Sequence, residues 1–249
     1  ASRHFGTCAH EYYVTPEDVL QALPQVAASY DEPFGNSSAI PAYFCAILAR
    51  QHGITRLLAG DGGDELFAGN ERYAKQTLFE AYRHLPSRLR SKIIEPLSGR
   101  LPRWGLSGKL GSYIEQARIP LPQRLHTYNF LTRFNPYVLF EQTFLNEIDL
   151  ELPFQLEQQI YQRPEQASRL NRMLYLDWFH TLADNDLRKV NRMCQLAGIE
   201  VEYPMLDDSV VDFSTRISSL QKLRLNRLRD FYKRAVSDFL PPQILNKSK

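Results

Sequence analysis

The stretch Leu57-Leu58-Ala59-Gly60-Asp61-Gly62-Gly63-Asp64-Glu65-Leu66-Phe67-Ala68-Gly69, LLAGDGGDELFAG, sets three carboxylates and four glycines into ten consecutive positions. Upstream, ITRLLAG (residues 54–60) reads as a buried strand, and downstream ELFAGNERYAK (residues 65–75) reads as a helix. A strand that ends in glycines and turns into a helix is a recurrent ligand site, because open parallel sheets bind ligands beyond the carboxyl ends of their strands. Glycines let backbone N–H groups approach a phosphate, and a helix N-terminus favours anions. Asp61, Asp64 and Glu65 would repel a bare phosphate. A Mg2+ ion resolves the conflict, since it accepts carboxylate oxygen from protein and phosphate oxygen from a nucleotide. An acidic turn with aspartate as a helix cap explains the isolated stretch equally well. The calcium-loop pattern fails, because Gly63 and Glu65 fall wrongly on ligand positions, and no GxxxxGK[ST] phosphate loop occurs in the chain.

Working outward, HFGTCAHEYYV (residues 4–14) has the aromatic and β-branched content of a short strand. TPEDVLQALPQVAASY opens a helix with Thr15 as N-cap, Pro16 at its first position and acids in its first turn. After the polar loop YDEPFGNSSAIP, Ser38 or Ala39 leads an apolar helix that ends near Gly53. Strand, helix, helix, strand is the order of an α/β unit with a parallel sheet. From residue 73 onward the pattern is nearly all helical. Residues 96–122, with four prolines and four glycines, read as a loop or a mobile segment. Residues 164–197 read as long helices broken near Asp184–Asp186, residues 201–217 as a turn and a short helix, and LRDFYKRAVSDFL (residues 228–240) as a final amphipathic helix. The expected division is an α/β nucleotide-site part over 1–75 and a mainly helical part over 76–249.

Composition excludes several classes. The 249 residues, 43% hydrophobic, suffice for a sizeable core. A net charge of +2 is far from the footprint of a nucleic-acid binder. The basic runs RHLPSRLRSK and RLNRLRDFYKR read as solvated helix faces, and no apolar run approaches a membrane span. Cys8, Cys45 and Cys194 form no CxxC pair and read as reduced thiols, which suggests a cytoplasmic setting. The six histidines do not pair at zinc-ligand spacing.

Three blocks, DEPFGNSSAIPAYFCAILAR, LLAGDGGDELFAGNERY and LRKVNRMCQLAGIEVEYPMLD, resemble in order and spacing the C-terminal synthetase domain of glutamine-dependent asparagine synthetases. The resemblance implies an α/β fold with an adenine nucleotide alpha-hydrolase-like core (the N-type ATP pyrophosphatase kind), here truncated to few parallel strands with a helical majority. It implies ATP and Mg2+ as cofactors. It also implies two-step chemistry: the β-carboxylate of aspartate attacks the α-phosphate of ATP to give β-aspartyl-AMP, and glutamine-derived ammonia then displaces AMP. By match, Ala59 and Gly60 stand where the family lines the adenylate, with Gly62 beside them. Asp61 stands where an acid supports acyl-adenylate formation, Asp64 at a magnesium-ligand aspartate, and Glu65 where a residue braces the loop. Lys249 matches a lysine that neutralises phosphate. Asp31 and Glu32, in a loop facing the same crevice in this fold, and Glu200, near the substrate end, are weaker candidates. The implied partners are a small carboxylate substrate and an N-terminal glutaminase domain of a longer chain, with a homodimer compatible with both.

The chain also departs from the pattern. It has no SGGxDS pyrophosphate loop and no glutaminase segment. Ala59 replaces Ser, Asn70-Glu71 replaces Tyr-x after Gly69, Asn191 replaces Asp, and Glu202 replaces Arg with reversed charge. Isolated, the chain is expected to be inactive. The alternatives are a related amidotransferase acting on another carboxylate, or a non-catalytic module that binds a nucleotide or a protein.

Overall fold

The structure, a computed structural model, describes residues 2–94, 96, 105–126 and 134–245. These residues fall into two compact units. The first takes the chain up to Gly69, Asp177–Arg224 and the residues from Arg229 on; the second takes Asn70–Leu176 and Leu225–Leu228. Helices dominate both.

In the first unit, α1 (Pro16–Ala28) starts as its sequence dictates. Thr15 Oγ1 accepts from the Asp18 N–H at 3.2 Å, and the Asp18 carboxylate accepts from the Thr15 N–H at 2.8 Å. This reciprocal box satisfies two donors that a helix start leaves orphaned. Helix α2 (Ala39–Gln51) buries Ala39, Ile40, Tyr43, Ala46 and Ala49, a stripe with helical spacing. Strand β1 (Arg56–Leu58) follows, then α3 (Gly63–Phe67). In the second unit, α4 (Glu71–Arg83) begins at Asn70, whose Oδ1 accepts from the Arg72 N–H at 3.1 Å. It packs on α5 (Gly105–Arg118), with Phe79 and Tyr82 meeting Ile114 and Ala117. Helix α6 (Leu152–Gln162) lies in the same unit, and α7 (Arg169–Asp177) leads back to the first.

A π-helical stretch, Trp178–Leu187, joins α7 to α8 (Arg188–Ala197). Helix α8 ends at Gly198, whose φ of 74° is the left-handed stop that glycine provides without cost. Met193, Cys194 and Ala197 of α8 bury against α2 and α1 in the core of the first unit. Strand β2 (Glu200–Glu202) then pairs parallel with β1, in the register Arg56 to Glu200, Leu57 to Val201 and Leu58 to Glu202. Leu57 and Val201 face the core, while Arg56 on the opposite face bridges Glu200 at 3.0 Å and Glu202 at 3.1 Å. Helices α9 (Asp208–Arg216) and α10 (Asp230–Ala235) both pack on α3.

Several expectations are corrected. Residues 7–15 form no strand, and Ser2–Phe5 is a single helical turn. A β-prone segment needs a neighbouring strand to hold it, and this one has none among the described residues. The strand after residue 54 exists, but it is not buried: Leu58 is 69% exposed, because β1 has one partner and helices on one face. The helix expected over residues 65–75 is two helices, since Ala68 adopts a left-handed conformation (φ 57°) and Gly69 N–H closes back on Asp64 O at 2.9 Å. The loop expected over residues 96–122 contains α5; its residues 97–104 lie outside those described. The break near Asp184–Asp186 is a change of helical pitch and not an interruption. The final helix is shorter than its periodicity suggests, ending at Ala235. Strand β2 was not legible in the sequence, as three residues carry too little periodicity.

Lys222 ends a four-residue helical turn and is 3% exposed, and it has no carboxylate partner among the described residues. Burial pushes its pKa down from 10.5 to about 8. Between those two values the unfolded chain holds more protons than the folded one. Stability therefore rises as pH climbs from about 8 to about 10.5, by about 3 kcal/mol, and the cost of the buried ammonium is present in full below pH 8. Lys222→Met is expected to raise stability at pH 7 and to flatten that rise. Urea unfolding at pH 7 and pH 10 measures both effects.

Candidate functional site

A cavity of about 480 Å3 opens at the carboxyl end of β1, lined by Gly60, Asp61, Asp64, Glu65, Asp186 and Arg229, with Gly62, Gly63, Met205 and Tyr232 completing its wall. The chain reaches it because the Ala59 N–H donates to Glu202 O at 2.8 Å, extending the ladder by one bond before the glycines turn away. At Gly62 φ is +90°, and a side chain there would overlap Leu206. A Cβ on Gly60 would meet nothing within 4 Å, so packing does not call for glycine at 60 and its absent side chain simply enlarges the cavity. Gly69 is demanded by close approach: a Cβ there would overlap Asp64 Oδ1 and Arg229 Nε.

Those two side chains form the best-defined contact at the site. Arg229 Nη2 lies 2.7 Å from Asp64 Oδ1. Arg229 itself sits at φ 54°, where non-glycine residues are uncommon, and its N–H donates to Ala68 O at 3.3 Å. Two left-handed positions, at Ala68 and Arg229, thus fasten α10 to the acidic loop. Backbone conformations of this kind cost about 1–2 kcal/mol each and cluster at functional sites.

Acid outweighs base here. Burial pushes the Asp61 carboxyl up, the neighbouring Asp186 pushes it further, and Lys189 and a hydrogen bond from its own backbone pull it back. Lys189 is held on Asp186 at 2.8 Å, one helical turn along. Glu65, 6% exposed, is raised to about 7, first by burial; its own backbone opposes this, while Asp64, Asp177 and Asp186 add to it. The Glu65 carbonyl accepts from Trp178 Nε1 at 3.3 Å, which ties the loop to the π-helical stretch. Among the described residues no three His, Cys, Asp or Glu side chains come together where they could hold a metal ion. Asp61, Asp64 and Asp186 line the cavity as separate carboxylates, Asp64 engaged by Arg229 and Asp186 by Lys189.

The structure brings Gly60, Asp61, Gly62, Asp64 and Glu65 together on this cavity. Ala59 is not among its lining residues. Asp31 and Glu32 lie on a different cavity of about 560 Å3, where both pair with Arg188. Glu200 is an exposed strand residue paired with Arg56. Lys249 lies outside the described residues. Asp186, Lys189 and Arg229 were missed by sequence reasoning. The Asp186–Lys189 spacing of three was visible as an ion-pair signal, but nothing local places Arg229 beside Asp64, 165 positions away. Two departures prove internally matched: Glu202 pairs with Arg56, and Asn191 Oδ1 accepts from the Tyr203 hydroxyl at 3.0 Å. The five-residue α3 carries too few peptide dipoles to set the charge of the cavity, which therefore comes from side chains.

No solved structure matches this chain. Among characterised proteins, asparagine synthetase [glutamine-hydrolyzing] 1 of Bacillus subtilis is 27% identical over 247 residues, which cover 95% of this chain and 36% of that protein. A putative asparagine synthetase [glutamine-hydrolyzing] of Mycobacterium bovis is 25% identical over 241 residues, covering 95% and 35%. A second putative enzyme of that description, from Methanocaldococcus jannaschii, is 28% identical over 210 residues, covering 80% and 37%. The chain thus spans about a third of the length of the curated relatives it matches. The asparagine synthase family profile matches residues 1–249 from end to end, and with the acidic glycine loop standing at the mouth of a parallel strand, the chain belongs to the asparagine synthase family.

Proposed function

We propose that this chain is the synthetase part of a glutamine-hydrolysing, asparagine-synthetase-type ligase. It activates the β-carboxylate of aspartate with ATP as β-aspartyl-AMP, which glutamine-derived ammonia then converts to asparagine and AMP, on an adenine nucleotide alpha-hydrolase-like core. The observation that carries this reading is the placement of Gly60, Asp61, Asp64 and Arg229 on one cavity at the carboxyl end of β1, in a chain of this family. The bare backbone at Gly60 leaves room for the nucleotide. Arg229, on the same cavity, would neutralise charge on a departing pyrophosphate, and Lys189 steadies Asp186 there. Mg2+, held by Asp64 with Asp61 or Asp186, would supply charge neutralisation to the phosphates. Asp61 orients the reacting groups, and Glu65, buried and held through its backbone by Trp178, fixes the loop. Catalysis of this kind is positioning and charge stabilisation more than covalent chemistry by the protein.

The ammonia would come from a glutaminase domain on the same longer polypeptide, which the one-third coverage of the relatives supports. Three free thiols accord with a cytoplasmic setting. The charge at Glu202, opposite to the family pattern, favours one second reading, an amidotransferase for a carboxylate other than aspartate.

The test is ATP–pyrophosphate exchange. The full-length protein is expected to show exchange that needs both aspartate and Mg2+, and the isolated 249-residue chain is expected to show little. Exchange that responds to a different carboxylate moves the substrate to the second reading. Absence of carboxylate-dependent exchange in the full-length protein overturns both.

A further inference from the structure

The second unit holds a cavity that the proposed chemistry does not use. It measures about 580 Å3, and its polar lining comes from Glu80, Arg83, His84, Arg169 and Arg172. Three guanidinium groups face one carboxylate there. That carboxylate is already committed: Glu80 binds Arg169 at 2.7 Å and also pairs with Arg124. Arg124 is fully buried, with its Nε on Gln76 Oε1 at 2.6 Å and its guanidinium 5.1 Å from the centre of the Phe79 ring. A charge sunk in this way leaves the cavity with an excess of cation that its own acid cannot neutralise.

Two of the three donors are also pre-positioned. Arg169 Nη1 lies 3.3 Å from His84 Nε2. Arg172 is anchored by bonds to the carbonyls of Glu165 at 2.5 Å and Ala167 at 3.3 Å and has no carboxylate partner among the described residues. Arg83 makes no ion pair with a described residue. The held forks of Arg169 and Arg172 match the paired oxygens of a phosphoryl group. Pro120, Leu121 and the ring of the buried Tyr161 supply its apolar lining, and the volume is that of a small-molecule site, larger than a bare oxyanion fills.

We propose that this cavity binds a small organic phosphate monoester, its phosphoryl dianion among Arg83, Arg169 and Arg172 and its organic body against Pro120, Leu121 and Tyr161. The site lies wholly within the second unit and is separate from the acidic cavity of the first.

Titration calorimetry with phenyl phosphate and with inorganic phosphate, in the absence of ATP and Mg2+ and at constant ionic strength, tests it. Phenyl phosphate is expected to bind one to one and more tightly than inorganic phosphate. Arg83→Gln should weaken it about tenfold, the loss of one charge-assisted contact, and Arg83→Glu should abolish it. Because Arg83 is exposed and makes no ion pair with a described residue, an unchanged melting temperature shows that the fold persists, and Arg169→Lys gives a second variant that keeps the charge on Glu80 but removes the fork. Asp64→Asn should leave this binding unchanged. Absence of saturable binding, no preference for the organic ester, indifference to Arg83→Glu, or loss in Asp64→Asn would each overturn the proposal.

Discussion

Asp64→Asn in the full-length protein is expected to lower adenylation about 10²–10³-fold, the usual loss when one preorganised charge is removed from an electrostatic active site. The fold should barely respond. Asp64 and Arg229 are each about a third exposed at the side chain, and a pair so placed is worth about 1 kcal/mol or less. Asparagine keeps the shape that fits beside Gly69 and removes only the charge. Two measurements separate this from general damage. The melting temperature should stay within a few degrees of wild type, and the Mg2+ dependence of ATP binding should weaken. Arg229→Gln, the partner change, should weaken ATP binding without the same loss of Mg2+ dependence, because it removes a cation near the phosphates and leaves the carboxylate. A wild-type exchange rate in Asp64→Asn would remove the acidic loop from the mechanism.

The second large effect falls on stability. Gly62→Ala is expected to cost about 2–3 kcal/mol. Part of this is the left-handed backbone, about 1–2 kcal/mol for any residue with a Cβ. The rest comes from overlap with Leu206, whose Cγ would lie 2.9 Å from the new methyl group. Gly62 precedes α3, so the strain would be felt at Asp61, Gly63 and Asp64 together, and exchange should fall with stability. The double variant Gly62→Ala, Leu206→Ala distinguishes the two contributions, since it relieves the overlap and leaves the backbone cost. A coupling energy of about 1 kcal/mol between the positions is the expected result from denaturant unfolding. Full additivity would show that the side-chain overlap contributes nothing.

How much of this was legible in the sequence follows the range of the forces involved. The Thr15–Asp18 box, the apolar stripe of α2 and the stop at Gly198 are decided within four residues of themselves, and each stands where its sequence places it. The acidic loop was legible for the same reason: Gly60, Asp61, Gly62 and Asp64 are neighbours in sequence before they are neighbours on a cavity. Failures came where propensity had to be completed from afar. Residues 4–14 have strand-forming side chains and no strand to join. The helix drawn through Ala68 breaks because the chain from Arg229 closes on it, and Arg229 carries no local mark of that task.

The sequence by itself determined the class of the protein, its helical majority and the residues offered to the acidic cavity, because short-range periodicity, capping and a contiguous motif need no partner. The tertiary structure alone decided which charges answer them. Asp186 from the π-helical stretch, Lys189 from α8 and Arg229 from the start of α10 meet the loop across more than a hundred residues, and Arg83 joins Arg169 and Arg172 on a second cavity from a separate helix. Electrostatic partnership depends on distance in space, which only the packing of the helices fixes.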